Sequence, residues 1–471
     1  MSRRRDLLRL CMFGMALAAV AALGIGARAS YGAQTTADEP QYLLSALSLW
    51  EDGDLDIADE LAEERYRGFH EADLPQQTIA LEDGRRVSPH DPLLPLLLAV
   101  PMGLGGWVAA KATLAVLGGG LAALTVWTAG HRLQVSAPTA YLTTGLFALA
   151  PPLAVYSTQV YPEIVAALVL LAGFAALIGP FGRSGRIVTA LAVIALPWLA
   201  VKYVPIAVVL AVAGLVRAGK GRRLWLLAVF TAAGVVYVGG HLLIYDGLTA
   251  YAAGDHFVGG EFTAVGNEVN LWGRSTRLIG LLVDRGFGIA AWQPAFFLLP
   301  VAAGWAMARR REQSVALALW LIVAGWLVAT FMALTMHGWW FTGRQIVIVL
   351  PIVVILIAAW VDEAPTTRRR LLVPLGMVGI VAFGFLVGEG LQGRLTWVVD
   401  FGSTLNPFYR AVSTVLPDYM APDDLTWILH GVWVSAALSL GWLGWRNAPS
   451  RAAKRRAPGS NQQRDQERVS T

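Results

Sequence analysis

The chain has 471 residues, of which 56% are hydrophobic and 15% charged, and its mean hydropathy is +0.55. No water-soluble domain of this length could keep so apolar a composition in solution, so we predict an all-α polytopic membrane protein. The net charge of +5 does not indicate nucleic-acid binding, because the basic residues form short clusters between apolar segments. The single cysteine, Cys11, excludes an intrachain disulfide or a cysteine metal cluster.

The first apolar segment lies close to the N-terminus and predicts the orientation of the chain. Arg3, Arg4 and Arg5 precede an apolar run from about Leu7 to Ile25, which is long enough to cross the roughly 30 Å hydrocarbon layer of a membrane. Because arginine clusters beside a span remain on the cytoplasmic side, we expect the N-terminus inside and the following segment outside.

A long acidic loop follows this span. Between Arg28 and Asp91 the sequence holds fifteen Asp and Glu residues against five Arg and no Lys, which is the opposite of an inner loop. We therefore predict an outer loop over residues 28–106 with short interfacial helices of its own. The first of these follows the adjacent acids Asp38 and Glu39 and is expected to be an amphipathic helix on the outer surface.

Two stretches of this loop have further features. Residues 51–56 partly match a calcium-binding loop, and Glu63 and Glu64 fall close to its end, but the rest of the pattern does not match. A charged turn is therefore the preferred interpretation over a metal site. The proline-rich residues 88–106 are too short for a comfortable span and predict a half-buried helix that returns the loop to the membrane.

The remaining apolar segments bring the predicted number of transmembrane helices to about twelve. After the first, they cover approximately residues 107–129, 139–158, 164–178, 187–200, 204–215, 225–245, 287–307, 314–336, 345–361, 371–387 and 425–445. With this count every basic connection falls on the cytoplasmic side. We therefore predict one transmembrane domain over residues 1–446 and a basic, disordered cytoplasmic tail over residues 447–471.

Ionisable residues gather at the predicted outer ends of the spans. Beside the acidic pair, this face receives Lys111, Glu163, Lys202, His241, Arg285, His337 and Arg344. Ionisable groups at membrane depth are costly and usually have a function. A structural explanation stays open for some of them: acids suit the first turn of a helix, and lysine or arginine at a span end often reaches back to the headgroups.

One or two carboxylates combined with several cations at the outer face suit the transfer of a sugar from a lipid phosphate. A carboxylate can accept the proton of an acceptor hydroxyl as that hydroxyl attacks the anomeric carbon. Cations then stabilise the phosphate that leaves. The apolar body of such an enzyme would hold the polyprenyl tail.

The sequence also resembles a known family, the GT-C superfamily of polyprenyl-phosphate-sugar-dependent glycosyltransferases. The nearest comparison is the bacterial branch with the lipid A aminoarabinose transferases, together with the protein O-mannosyltransferases. A long outer loop with a proline-containing return helix is common to both. The other shared features are Asp38-Glu39-x-x-Tyr42 beyond the first span, Tyr161-Pro162-Glu163 at the end of the third, and Arg344 heading a late span. The resemblance implies a GT-C-like helical bundle.

The resemblance also implies a role for each candidate residue. Asp38 falls on the family's proposed catalytic base, which accepts the proton in a direct, inverting displacement. The other implied roles are Glu39 beside the base, Tyr42, Tyr161 and Glu163 at the acceptor or sugar, and Lys202, Arg344, His90 and Arg285 at the lipid phosphate. No cofactor is required, although a divalent cation held by Asp38, Glu39 and Glu163 is an open alternative.

The sequence departs from the family pattern at three places. The segment from His90 to Leu93 keeps one proline where the family usually has two, and Glu163 stands where an Asp is usual. The tail after Trp445 holds no large soluble domain, which argues against the oligosaccharyltransferase branch.

Two other classes of protein stay open. One is a transporter or flippase for a lipid-linked precursor, although such proteins tend to have related halves and a site at the midplane. The other is a non-catalytic assembly protein whose acidic loop binds a partner. The expected partners are a polyprenyl-phosphate-linked sugar, a lipid, glycan or protein acceptor, and membrane lipid, with the active site on the outer face of a bacterial cell membrane.

Overall fold

A computed structural model describes residues 2–257, 259–261, 270–398 and 401–448. Within these ranges the regular secondary structure is helical, with a few isolated β-bridges in the loops. The α-helices are α1 Ser2–Ala22, α2 Glu39–Glu51, α3 Ala58–Ala62, α4 Leu93–Arg132, α5 Ala137–Ala148, α6 Leu153–Tyr156, α7 Glu163–Ile178, α8 Arg183–Leu199, α9 Val204–Arg217, α10 Lys220–Tyr245, α11 Leu271–Ser275, α12 Arg277–Val283, α13 Ile289–Trp292, α14 Leu299–Ala308, α15 Gln313–Leu327, α16 Leu350–Asp362, α17 Pro365–Leu391, α18 Pro407–Ser413 and α19 Asp424–Arg446. The predicted tail lies almost wholly outside the described residues.

The described residues contain six helices that are long and apolar enough to cross a membrane. They cover Leu93–Arg132, Lys220–Ala253, Gln313–Met332, Arg344–Asp362, Pro365–Leu391 and Asp424–Arg446, and the shorter apolar helices are Glu163–Ile178 and Pro294–Ala308. The protein is therefore a multi-pass membrane protein, while the total of about twelve spans stays a prediction.

Two predicted spans are wrong as continuous helices, and proline is the reason in both. The span at 139–158 breaks after α5, where Pro151 and Pro152 interrupt the backbone before the short α6. The span at 287–307 opens with α13, and a 3-10 turn starting at Pro294 separates it from α14. Proline lacks an N–H and disfavours helical geometry in the residue before it, so each site ends one helix and starts another.

The return helix and the following span join directly at the predicted boundary. They form the 40-residue α4, whose backbone leaves helical geometry at Gly105 and Gly106. Gly106 has a φ of +64°, which glycine adopts without the steric cost of a Cβ. The kink lies at the boundary that the sequence predicts between the return helix and the following span, while the membrane position of each part stays a prediction.

The centre of the bundle is α16, all of whose residues from Leu350 to Val361 are buried. Helices α4, α5, α7, α14, α15 and α17 pack around it. At another interface α1 packs closely on α4, where Gly14 and Gly119 lie so near each other that a Cβ on Gly119 would come within 2.2 Å of the Gly14 carbonyl oxygen. In contrast α10 and α19 expose most of their apolar side chains, as helices facing lipid do.

Helix α2 is not the amphipathic surface helix that the sequence predicts. Ten consecutive residues, Glu39–Ser48, are buried, because α4 covers one side of the helix and the short elements of the outer loop cover another. Leu43, Leu44 and Leu47 supply apolar contacts on more than one face. Burial of α2 fixes the position of the acidic pair at its N-terminus.

Candidate active site

Residues from four distant parts of the sequence meet at the N-terminal ends of three helices. Asp38 is the N-cap residue of α2, and Glu163 is the first residue of α7. Lys202 lies in a 3-10 turn between α8 and α9, and Arg344 begins the 3-10 turn that leads into α16. Glutamate in the first turn of a helix is favoured by the helix dipole, so the local sequence supports this placement.

Arg344 is the hub of the cluster. Its Nη2 donates a hydrogen bond to Oδ2 of Asp38, and its Nε donates to Oε1 of Glu163 at 3.2 Å. The guanidinium lies 3.9 Å from the ring centroid of Tyr161 and 5.0 Å from that of Trp340. Two carboxylates and two aromatic rings thus hold Arg344, which leaves 7% of its side chain exposed.

Lys202 is bound to the same glutamate. Its Nζ donates to Oε1 of Glu163 at 2.8 Å and to Oε1 of Gln345 at 3.2 Å. Glu163 therefore bridges the two cations with a single oxygen atom. The sequence predicts no role for Gln345. Only its position next to Arg344 could have indicated that it belongs to the cluster.

The adjacent acids Asp38 and Glu39 have different environments. The Asp38 side chain is 22% exposed, whereas Glu39 is fully buried and accepts hydrogen bonds from the backbone N–H groups of Val160 at 2.7 Å and Thr36 at 3.0 Å. Lys111 lies 3.9 Å from Glu39. Glu39 thus ties the outer loop to the segment before α7, and Asp38 is the acid that a ligand can reach.

The electrostatic surroundings keep Asp38 ionised. Burial raises the pKa of Asp38, but the charge and hydrogen bond of Arg344 and the charge of Lys202 oppose this effect and bring the pKa down to about 2. For Glu39 the balance is reversed: burial raises the pKa above its usual range, although Lys111 and two backbone hydrogen bonds act against it. Asp38 is therefore the stronger candidate for interaction with a cationic or proton-donating group at neutral pH.

His90 and Tyr42 form one side of the site. Their rings stack with centroids 4.6 Å apart and an interplanar angle of 21°. Burial lowers the pKa of His90, against the opposing charge of Asp38, so its imidazole is suited to donate or accept a hydrogen bond in the neutral form. The Tyr161 hydroxyl is already occupied, because it donates to the carbonyl oxygen of Thr36 at 3.2 Å.

Asp91, for which the sequence predicts no role, contacts the turn that carries Lys202. It accepts hydrogen bonds from the backbone N–H of Val201 at 2.9 Å and from Tyr237, and it lies 2.9 Å from Nε2 of His241. Because Val201 precedes Lys202, Asp91 fixes the turn that carries the lysine. Two features of the sequence could have indicated Asp91: its position beside His90, and the presence of His241 at the predicted outer end of a span.

Several buried polar atoms beside these groups have no hydrogen-bond partner among the described residues. They are Nε2 of His90, Oη of Tyr203, Oε2 of Glu163 and Nε1 of Trp340. Buried polar groups in folded proteins normally have a partner. The hydrogen-bonding capacity of these four atoms is therefore unused within the described part of the chain.

Two predicted residues have other contacts. Arg285 donates to the carbonyl oxygens of Ser413 and Leu416 and pairs with Asp418 at 3.4 Å, so the segment before α19 holds its guanidinium. Lys111 does not reach to a membrane surface, since its Nζ donates to the Gln34 carbonyl oxygen at 2.8 Å. The phosphate role of Arg285 stays a prediction.

The divalent cation considered for Asp38, Glu39 and Glu163 also stays a prediction. Each of these carboxylates has a basic side chain of its own nearby: Arg344 for Asp38, Lys111 for Glu39 and Lys202 for Glu163. The contacts of the three carboxylates therefore favour an anionic ligand at the basic side chains over a cation between the acids.

Comparison with known proteins identifies the class of fold. No protein-family model and no curated protein sequence matches this chain. The solved structure of ArnT from Cupriavidus metallidurans bound to undecaprenyl phosphate has a similar fold, with a TM-score of 0.54 and 17% identity over 92% of this chain and 75% of that one. The apo structure of the same protein gives a TM-score of 0.52 and 17% identity, over 94% and 76% of the two chains.

ArnT is a lipid A aminoarabinose transferase, a glycosyltransferase of the GT-C type. The resemblance inferred from the sequence is thereby confirmed at the level of the fold. The chain is a helical, multi-pass membrane protein with an ArnT-like fold.

Proposed function

We propose that this protein is a membrane glycosyltransferase that moves a sugar from a polyprenyl-phosphate donor to an acceptor hydroxyl. The observation that carries the proposal is the convergence of a partly exposed carboxylate, Asp38, with the cations Arg344 and Lys202 in one cluster of side chains. A fold shared with a protein crystallised with undecaprenyl phosphate supports the same donor class. The acceptor class stays open between lipid, glycan and protein.

The basic residues would bind the donor phosphate. Arg344 presents a planar set of N–H donors suited to phosphate oxygens, and Lys202 adds a second charge. The unpartnered Nε2 of His90 and hydroxyl of Tyr203 supply further hydrogen-bonding groups. Because negative charge grows on the phosphate as the sugar departs, these groups stabilise the transition state more than the bound donor.

Asp38 would act as the general base. The acceptor oxygen forms a bond to the anomeric carbon, the bond from that carbon to the phosphate oxygen breaks with its electron pair, and the acceptor proton moves to Asp38. The products are the glycosylated acceptor and the polyprenyl phosphate. Direct displacement of this kind inverts the configuration at the anomeric carbon.

The donor would also prepare the base. In its ion pair with Arg344, Asp38 has a pKa of about 2 and is a weak proton acceptor. A phosphate that binds Arg344 competes with Asp38 for the same guanidinium, and its negative charge raises the pKa of the nearby carboxylate. The enzyme would thus gain an effective base only when the donor is in place.

The proposed site lies on the outer face of the membrane. The acidic composition of residues 28–106 and the basic clusters in the predicted inner connections support a site on the outer face. Glu163, bound to both cations, would position them for the phosphate. The tyrosines Tyr42 and Tyr161 would contact the sugar or the acceptor beside this cluster.

The test is sugar transfer by the purified chain in proteoliposomes. Radiolabelled polyprenyl-phosphate sugars are supplied as donors with membrane lipid acceptors, and the wild type is compared with Asp38→Asn. We expect a loss of at least about 10²-fold in the variant, typical of removing a general base. The matched control is Asp73→Asn, an acid of the same loop whose side chain is 97% exposed. Transfer that is unchanged in Asp38→Asn would refute the base, and lipid translocation without any transfer would favour a flippase.

A further inference from the structure

A second group of carboxylates lies in the outer loop, separate from the cluster around Arg344. Asp52 is the C-cap residue of α2, and Asp59 and Glu60 lie in α3. One carboxylate oxygen from each of the three comes within 4.8 Å of the other two. Two oxygens bound to one Ca²⁺ at about 2.4 Å are at most about 4.8 Å apart, so this spacing suits a shared ion.

Glu60 distinguishes this group from an ordinary acidic surface. Its side chain is only 2% exposed, and neither of its carboxylate oxygens accepts a hydrogen bond from the described residues. A buried carboxylate without a donor is strongly unfavourable. Because the carboxylate of Glu60 lies close to those of Asp52 and Asp59, a cation shared by all three would supply the missing partner, in place of a proton held between Glu60 and Asp59.

The neighbouring charges do not supply that partner. The basic side chain whose charge acts on these carboxylates is Arg65. It is already paired with Glu51 at 2.8 Å and with Glu63 at 3.7 Å. Asp54, another acid of this turn, already accepts a hydrogen bond from the hydroxyl of Ser48. The three carboxyl groups thus have no basic partner of their own, and one of them is out of water.

We propose that Asp52, Asp59 and Glu60 bind a divalent cation of the calcium type that joins the C-terminal end of α2 to α3. Calcium prefers oxygen ligands and tolerates a site that is completed by water on its exposed side, as the exposure of Asp52 and Asp59 allows. The bound ion stabilises the C-terminal end of α2, the helix whose N-terminal end carries Asp38. The proposal does not depend on the proposed transferase activity.

The first test is luminescence of Tb³⁺, which takes the place of Ca²⁺. The full chain is purified in detergent and freed of metal, and Tb³⁺ is added with excitation of tryptophan. Trp50 lies two residues before Asp52 and is 43% exposed, so it is placed to sensitise a bound ion. We expect a saturable signal that Ca²⁺ displaces, with at least a tenfold loss of affinity in Glu60→Gln and in the double variant Asp52→Asn, Asp59→Asn.

The second test is thermal unfolding with Ca²⁺ and with chelator. Calcium should raise the Tm of the wild type and of the control Asp73→Asn, but not that of Glu60→Gln. In chelator Glu60→Gln should unfold at the same or a higher temperature than the wild type, because it removes a buried acid that has no basic partner. This opposite response separates loss of a ligand from simple misfolding. Equal Tb³⁺ affinity in all variants, or no rise in wild-type Tm with Ca²⁺, would overturn the proposal.

Discussion

Replacing Arg344 by lysine tests the geometry of the site while it keeps the positive charge. Arginine reaches Asp38 through Nη2 and Glu163 through Nε, two different nitrogen atoms of one planar group. A single ammonium group on a flexible stem cannot occupy both positions. One carboxylate therefore loses its charged donor, and the ring contacts with Tyr161 and Trp340 are lost as well.

The size of the effect follows from the number of contacts. A hydrogen bond to a charged group contributes about 1.5–3 kcal/mol, which corresponds to about 10- to 160-fold in kcat/KM if the lost contact is made to the donor phosphate in the transition state. Arg344→Gln also removes the charge, so its loss should exceed about 10³-fold, near the upper range for removal of an electrostatic donor.

The assay is the initial rate of sugar transfer at several donor concentrations, together with binding of polyprenyl phosphate. Arg277→Lys is the matched control, because among the described residues the guanidinium of Arg277 donates to backbone carbonyl oxygens and to no carboxylate. We expect this control to retain transfer. Wild-type kcat/KM in both Arg344→Lys and Arg344→Gln would refute a phosphate role for Arg344.

Three further predictions concern residues around the site. Glu39→Gln should lower the Tm, since the new amide leaves one backbone N–H without an acceptor at a cost of about 1–3 kcal/mol, whereas Glu82→Gln on the loop surface should not. Asp91→Asn should raise the KM for the donor about tenfold with kcat within about threefold, because it acts through the turn of Lys202 and not on the reacting atoms. The folded pKa of Asp38, about 2, lies below its ordinary value of 3.8, so its ion pair stabilises the protein above pH 3.8 and this stability is lost as the pH falls toward 2. Unfolding measured across this range should show a steeper loss in the wild type than in Asp38→Asn, and parallel curves would contradict the ion pair.

Local sequence patterns were sufficient for part of the fold. Apolar length identified the membrane class, and the prolines and glycines of residues 88–106 indicated both the return helix and its end at Gly105 and Gly106. The same reasoning missed the breaks at Pro152 and Pro294, because the apolar runs there continue without interruption in composition. Hydropathy alone does not distinguish a continuous span from two helices separated by a proline turn.

The side chains of the site were found by charge and position, but their roles depend on distant contacts. Asp38 and Glu39 are adjacent and chemically similar, and the sequence could not decide which is accessible. The two acids differ because the carboxylate of Glu39 accepts a hydrogen bond from the backbone N–H of Val160, which is 121 residues away. The contact of Asp91 with Val201 spans 110 residues and was not predictable from any local pattern.

The most direct test of the central claim is an experimental structure of the purified chain with a bound polyprenyl phosphate. We predict that the phosphate oxygens lie within hydrogen-bonding distance of Arg344 and Lys202, and that Asp38 no longer contacts Arg344. A lipid phosphate bound elsewhere, with the contact between Asp38 and Arg344 intact, would contradict the proposed site.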